Sequence, residues 1–176
     1  MKTLSMCGLA ALIAITLSGC ASTMPVYYAP SSVLSASGSV SVMPFTYAPA
    51  QSGKVKWNQI RNTAMTRILL DQNVDVMFRD AVFKELRFVG VKVGNSNRHL
   101  FGEIQEFAVD DLGFTVDWTL TVKYRVVASN STAYEGTKEI KRRTAKAPNF
   151  SGALNETIKL NIEELIKDPA FVSAIK

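Results

Sequence analysis

One segment limits the fold of this chain more than any other, the run from Phe114 to Val126. Phe114, Val116, Trp118, Leu120, Val122, Tyr124 and Val126 alternate with Thr115, Asp117, Thr119, Thr121, Lys123 and Arg125. A period of two places successive side chains on opposite faces of a strand, so this strand has one apolar and one wet face. Antiparallel sheets tolerate that asymmetry, whereas fully buried parallel strands read as unbroken apolar runs. The fold must therefore supply a sheet with one covered face, and something apolar to cover it.

Helical periods supply the cover. Val74, Met77 or Phe78, Ala81 or Val82, Leu86 and Val89 recur at three- and four-residue steps, predicting a helix over 71–89. Asp71 and Asp75 sit near its start, Lys84 and Arg87 near its end, and Gly90 follows as the stop. Leu154, Ile158, Ile162, Leu165 and Ile166 mark a second amphipathic helix, with Ser151 as its expected N-cap, and Asp168-Pro169 starts a short last one. Further strands are expected at Val40–Val42, ended by Pro44, at Met65–Leu70, and at Leu100–Val109, where Gly102 suggests a bulge. Thr46–Asn62 reads as a long connection. Asp110-Asp111-Leu112-Gly113 makes a tight turn, and Tyr134–Thr144 runs back as a charged edge strand after Ser129–Thr132. The expected class is α+β: a two-layer sandwich of a mostly antiparallel sheet covered by two amphipathic helices.

The first twenty residues follow a different logic. Lys2 gives a positive start, Met6–Leu17 is nearly all apolar, and the segment closes on Leu17-Ser18-Gly19-Cys20. That is the layout of an export signal, and the apolar run is shorter than the roughly 20 residues of a spanning helix. A cysteine after Leu-Ser-Gly resembles the bacterial lipobox, in which the thiol is acylated and becomes the new N-terminus. The expected organisation is a signal over 1–19, a lipidated Cys20 with a flexible tether over 20–36, and a single domain over 37–176. The tether is rich in Ser, Ala and Pro, and docking of Tyr27 and Tyr28 on the domain or on headgroups stays open as the alternative.

Composition bounds the chemistry. Apolar residues are 47% and charged residues 20% of the chain, as in a globular domain. Cys7 falls in the signal and Cys20 is the lipid site, so the remainder has no thiol for a disulfide or a metal. The formal charge of +5 falls to +4 when Lys2 leaves with the signal. This mild basicity suits anionic lipid or lipopolysaccharide, and nucleic acid is not an expected partner of an exported protein.

Few constellations suggest catalysis. His99 is the only histidine, and neither Gly-x-Ser-x-Gly nor a phosphate-cradling glycine loop occurs. No cofactor and no metal are expected. Asp110, Asp111 and Asp117, with Glu103 and Glu106 opposite if the hairpin pairs, are the one carboxylate group that invites a glycosidase-like reading. A turn plus the solvent face of a strand accounts for them more simply. Lys138, Lys141, Arg142, Arg143 and Lys146 form the one basic cluster. On a strand, Lys138 and Arg142 share one face while Lys141 and Arg143 share the other. They are read either as edge protection or as a contact surface for anionic lipid, lipopolysaccharide or an acidic partner.

With these elements in place, the chain resembles the YajG-like family of small bacterial lipoproteins. The resemblance is carried by Gly38-Ser39-Val40-Ser41-Val42-Met43-Pro44-Phe45 and by Phe78-Arg79-Asp80-Ala81-Val82-Phe83-Lys84-Glu85-Leu86 followed by Gly90. It implies an outer-membrane lipoprotein and brings no catalytic residues with it; the expected orientation is toward the periplasm. Ala21 after the cysteine, where an Asp would retain the protein at the inner membrane, agrees with outer-membrane sorting. The expected function is a non-enzymatic, lipid-anchored envelope protein, a binding or accessory module for an assembly or transport system with an envelope protein as partner. Two alternatives are an envelope hydrolase using Asp110, Asp111 or Asp117, and a lipid or lipopolysaccharide chaperone with a groove facing Trp118.

Overall fold

The computed structural model describes residues 23–62, 68–145 and 149–176. Cys20, Lys146 and Pro148 lie outside them, as does the first half of the strand expected at Met65–Leu70. In chain order the elements are β1 (Ser39–Val42), β2 (Thr46–Tyr47), α1 (Ala48–Gln51), β3 (Gln59–Asn62), β4 (Ile68–Leu69), α2 (Val74–Phe88), β5 (Lys92–Val93), β6 (Arg98–Asp111), β7 (Thr115–Ala128), β8 (Ser131–Ala145), α3 (Phe150–Ile166) and α4 (Pro169–Ala174).

Strand β6 is the spine. On one side it pairs antiparallel with β7 from Arg98↔Ala128 to Asp111↔Val116, and β7 pairs antiparallel with β8. On its other side three short strands follow one another, all parallel to it: β1 at Leu100, β2 at Ile104 and β3 at Val109. β5 extends β1 in parallel, and β4 turns back antiparallel on β3. The expectation of a mostly antiparallel two-layer sandwich is therefore corrected. Most strand pairings are parallel, and the class is a mixed α+β fold whose sheet curls into a half-barrel. The reason is connectivity: β1, β2 and β3 precede α2 and β6 follows it, so α2 serves as the crossover that parallel neighbours require. The stretch read as a long connection, Thr46–Asn62, thus holds two strands and a helical turn.

The apolar face of β7 is buried as its alternation requires. Val116, Trp118, Leu120, Val122, Tyr124 and Val126 are all at most 1% exposed. Phe114 is the exception at 95%, because β7 begins only at Thr115 and the turn carries Phe114 off the sheet. α2 packs against β1, β2 and β5, α3 against β7 and β8, and the two helices touch. Val74, Met77, Phe78, Ala81, Val82 and Leu86 face inward from α2, and Leu154, Ile158, Ile162 and Leu165 from α3. Each such aliphatic or aromatic side chain contributes about 1.5–3 kcal/mol on burial.

The helix ends show local chemistry at work. α2 stops as read: Gly90 takes φ 104°, its N–H donates to Arg87, and Val91 N–H reaches back to Leu86. These two bonds make a Schellman motif, closed by the buried pair Leu86 and Val91. At α3 the cap is Asn149 rather than Ser151, its side chain accepting from Gly152 N–H at 2.7 Å. Gly102 does not form the bulge, which falls between Ile104 and Glu106. It is small because the Phe45 ring lies where its Cβ would be.

The segment read as a tether is laid along the domain from Met24 onward as a strap. Met24 bridges Leu70 in parallel, and Val26, Tyr28 and Ser32 are buried. Tyr28 docks while its neighbour Tyr27 stays 80% exposed. The anchoring group is Glu85 on α2, fully buried, which accepts from the Tyr28 hydroxyl, from Ser32 N–H at 2.7 Å and from Ser31 N–H at 3.2 Å.

Candidate functional site

β8 is the longest strand and pairs only with β7, so its outer edge has no partner strand among the described residues. Register with β7 decides which way each residue of the basic cluster faces. Lys138 lies opposite Val122 and Arg142 opposite Trp118, so both stand on the helix-covered side. Lys141 and Arg143 lie opposite Thr119 and Asp117, on the open side.

Each described cation but one is matched. Lys138 Nζ donates to Asp168 at 2.7 Å beside α3 and α4, where both side chains are about four-fifths covered. Asp168 also accepts from the Tyr134 hydroxyl at 2.9 Å and from Ala170 N–H at 2.9 Å, as the cap of α4. The Lys138 hydrogen bond is the main reason its carboxyl is held down to about 2. Burial, reinforced by Asp168, pushes the Tyr134 phenol up. On the open side, Arg143 grips Asp117 through Nε at 2.6 Å and Nη2 at 2.7 Å, and Lys141 meets Glu139 at 3.0 Å. Lys123–Glu135 at 3.0 Å continues this row. Arg142 is half-buried, with one Nη without a hydrogen-bond partner among the described residues. The cluster is thus two groups back to back. Exposed pairs of this kind add about 0–1 kcal/mol each, so they shape recognition more than stability.

The carboxylates meet only in part. Asp110 and Asp117 face each other across the β6–β7 hairpin, at a shallow open groove of about 400 Å³ that Thr119, Lys141 and Arg143 help to line. Asp111 turns instead toward the hairpin tip, accepting from Gly113 N–H at 2.8 Å. Glu103 and Glu106 stand further down, opposite Lys123 and Thr121, with Glu106 paired to Arg61. The Arg143 hydrogen bond holds the Asp117 carboxyl below its ordinary range, which suits an ion pair and not a proton donor. His99 sits in β6 beside β1, half-buried, not in a solvated turn. Among the described residues no three His, Cys, Asp or Glu side chains gather as a metal site requires.

Trp118 also lines the groove at Asp110 and Asp117, with its side chain itself buried. Its ring packs against Phe150 at 4.8 Å between centroids and a 43° tilt, and its Nε1 donates to Thr144 at 3.0 Å. Between the sheet and α3, Asn161 is fully buried, accepting from the Tyr124 hydroxyl at 2.8 Å and donating to the Lys138 carbonyl at 2.9 Å.

Two features escaped the periodic reading. Glu85 falls on the inner face of α2, seven residues after Phe78 and four before Val89, so its position signalled burial although its residue type argued against it. The hairpin tip holds Leu112 at 52% and Phe114 at 95% exposure. No signal in the period of β7 separates Phe114 from its inward neighbours.

With this geometry established, the fold has recognisable relatives among solved structures. Protein XCC0632 from Xanthomonas campestris, of the family DUF330, is similar at 14% identity and a TM-score of 0.60, over 88% of this chain and 95% of that one. The hypothetical protein CT253 from Chlamydia trachomatis is similar at 14% identity and 0.53, over 79% and 99%. A minor lipoprotein from Acinetobacter baumannii matches more loosely, at 12% identity and 0.41, over 76% and 92%. The first two, at identities this low, establish a shared fold and nothing finer. No family model matches the chain, and no curated protein matches it.

Proposed function

We propose that this chain is a non-enzymatic, lipid-anchored envelope protein, held in the outer membrane through an acylated Cys20 and facing the periplasm. It acts as a binding or accessory module for an envelope assembly or transport system, and the YajG-like pattern is consistent with that role. The observation that carries the binding role is the open edge of β8, with an alternating, internally paired row of charges on its solvent side. A free edge can accept an added strand from a partner, and the fixed charges restrict which strands fit. Because Lys141 and Arg143 are already matched by acids, the surface favours a protein with complementary alternating charge over a purely anionic lipid or lipopolysaccharide.

Site-specific photocrosslinking in cells tests this reading. A crosslinker at Thr137, on the open side of β8, should yield an adduct with one envelope protein, and one at Val76 on α2 should not. If no β8 position yields an adduct while the protein is present and anchored, the edge is not the binding surface. The hydrolase reading rests on the Asp110–Asp117 pair, and turnover of peptidoglycan or glycans that is lost in Asp117→Ala would replace the binding role with it.

A further inference from the structure

We propose that the β6–β7 hairpin tip, Leu112 and Phe114, rests in the bilayer to which the chain is anchored. This inference builds on the anchored reading above. Three observations carry it.

The first is the tip itself. Leu112 N–H donates to the Thr115 carbonyl at 2.9 Å, Asp111 accepts from Gly113 N–H, and Gly113 takes φ 90°. The turn is internally bonded, and it holds a phenyl ring and a leucyl side chain out into solvent. Large apolar side chains displayed this way on a firm turn mark a contact surface.

The second is direction. β3 runs parallel to β6, and both point toward the tip. β4 is antiparallel to β3, so it runs away from the tip, and the chain at Met24 runs parallel to β4. Followed backward from Met24, the chain therefore heads toward the tip end. Cys20 stands four residues before Met24, a span of at most about 14 Å when extended. A lipid on Cys20 would leave the domain little freedom to stand clear of the bilayer, and the chain at Met24 is directed toward the end that carries Leu112 and Phe114.

The third is charge. Among the described residues the cations on the open side of this end are already matched, Arg143 by Asp117 and Lys141 by Glu139. Apolar insertion, not attraction to anionic headgroups, is then the source of the contact. A bilayer fits better than a second copy because, under the anchored reading, a lipid within about 14 Å of Met24 holds every molecule against a membrane.

The test uses the full, lipidated chain reconstituted into phosphatidylcholine vesicles, with and without phosphatidylglycerol. Under the anchored reading Cys7 is removed and Cys20 is acylated, so Phe114→Cys supplies a single free thiol for an environment-sensitive fluorophore. Val33→Cys, at a 97% exposed position beyond Glu85 on the strap, is the control. The label at 114 should shift to the blue and be quenched several-fold more strongly than the label at 33 by nitroxide-bearing lipid, equally in both vesicle types. A label at 114 that stays in water on a chain whose mass includes the lipid overturns the tip contact and leaves the anchor intact. A blue shift without lipid quenching overturns it in favour of a second copy. Quenching only with phosphatidylglycerol overturns the apolar cause. A chain that carries no lipid mass and leaves the vesicles removes the anchored reading, and the tip contact with it.

Discussion

Glu85 is an acidic side chain in the middle of the core, and three donors account for its presence there. The Tyr28 hydroxyl and two backbone amides satisfy its oxygens, and burial, then the hydrogen bond to Glu85, push the Tyr28 phenol above its ordinary range. Glu85→Ala would leave these donors unmatched, at about 1–3 kcal/mol for each that stays buried. The expected result is a loss of about 2–4 kcal/mol in urea unfolding, with faster hydrogen exchange at the Ser32 amide. Unchanged protection of that amide would show that the strap is held by its apolar residues alone. Asp168 gives the pH counterpart. Its carboxyl is depressed from the ordinary 3.8 to about 2, chiefly by Lys138. A depressed carboxyl stabilises the fold above its unfolded value, and the contribution fades as pH falls from about 4 through 2. Asp168→Asn should flatten that part of an acid-unfolding profile, and a profile unchanged between pH 4 and 2 would contradict the pairing with Lys138.

Among the elements, β6 depends on one glycine. The Phe45 ring occupies the space over Gly102 and also meets Phe78 and Tyr124, with ring centroids at 6.0 and 6.2 Å. A methyl at position 102 would strike that ring, so Gly102→Ala should cost about 1–3 kcal/mol as overpacking. Replacing Phe45 with Leu should cost less in the Gly102→Ala background than in the native chain. Strict additivity of the two changes in a double-mutant cycle would show that the ring is not what restricts position 102. The sequence exposed this glycine as special but suggested a bulge, because the reason for it lies across the sheet. β7, α2 and α3 were legible from their periods, since a repeat of two or 3.6 reports directly on which face is covered. The Ser151 cap was misassigned by two residues, because Asn149 could fill the same role and only the backbone path selects it.

For the whole molecule, the packed strap alters what an anchor at Cys20 would do. With sixteen free residues the domain would swing well clear of a bilayer, but the chain is already packed at Met24, so a lipid at Cys20 would hold it close. Cys20→Ala should move the chain to the soluble fraction with an unchanged unfolding curve, since the described packing is made by Met24 and later residues. A variant that stayed membrane-bound through a salt wash would mean that the tip or the edge holds the protein there unaided. By itself the sequence determined the faces of β7, α2 and α3 and the charged character of β8. Those properties are set by residues within a few positions of one another, and a period records them. Only the tertiary structure decided that β1, β2 and β3 lie parallel to β6, that the strap packs on α2 through Glu85, and that the described part of the basic cluster divides between the two faces of the sheet. Each of these depends on partners tens of residues away, and no local pattern encodes which of several chemically adequate neighbours the curled sheet will bring into contact.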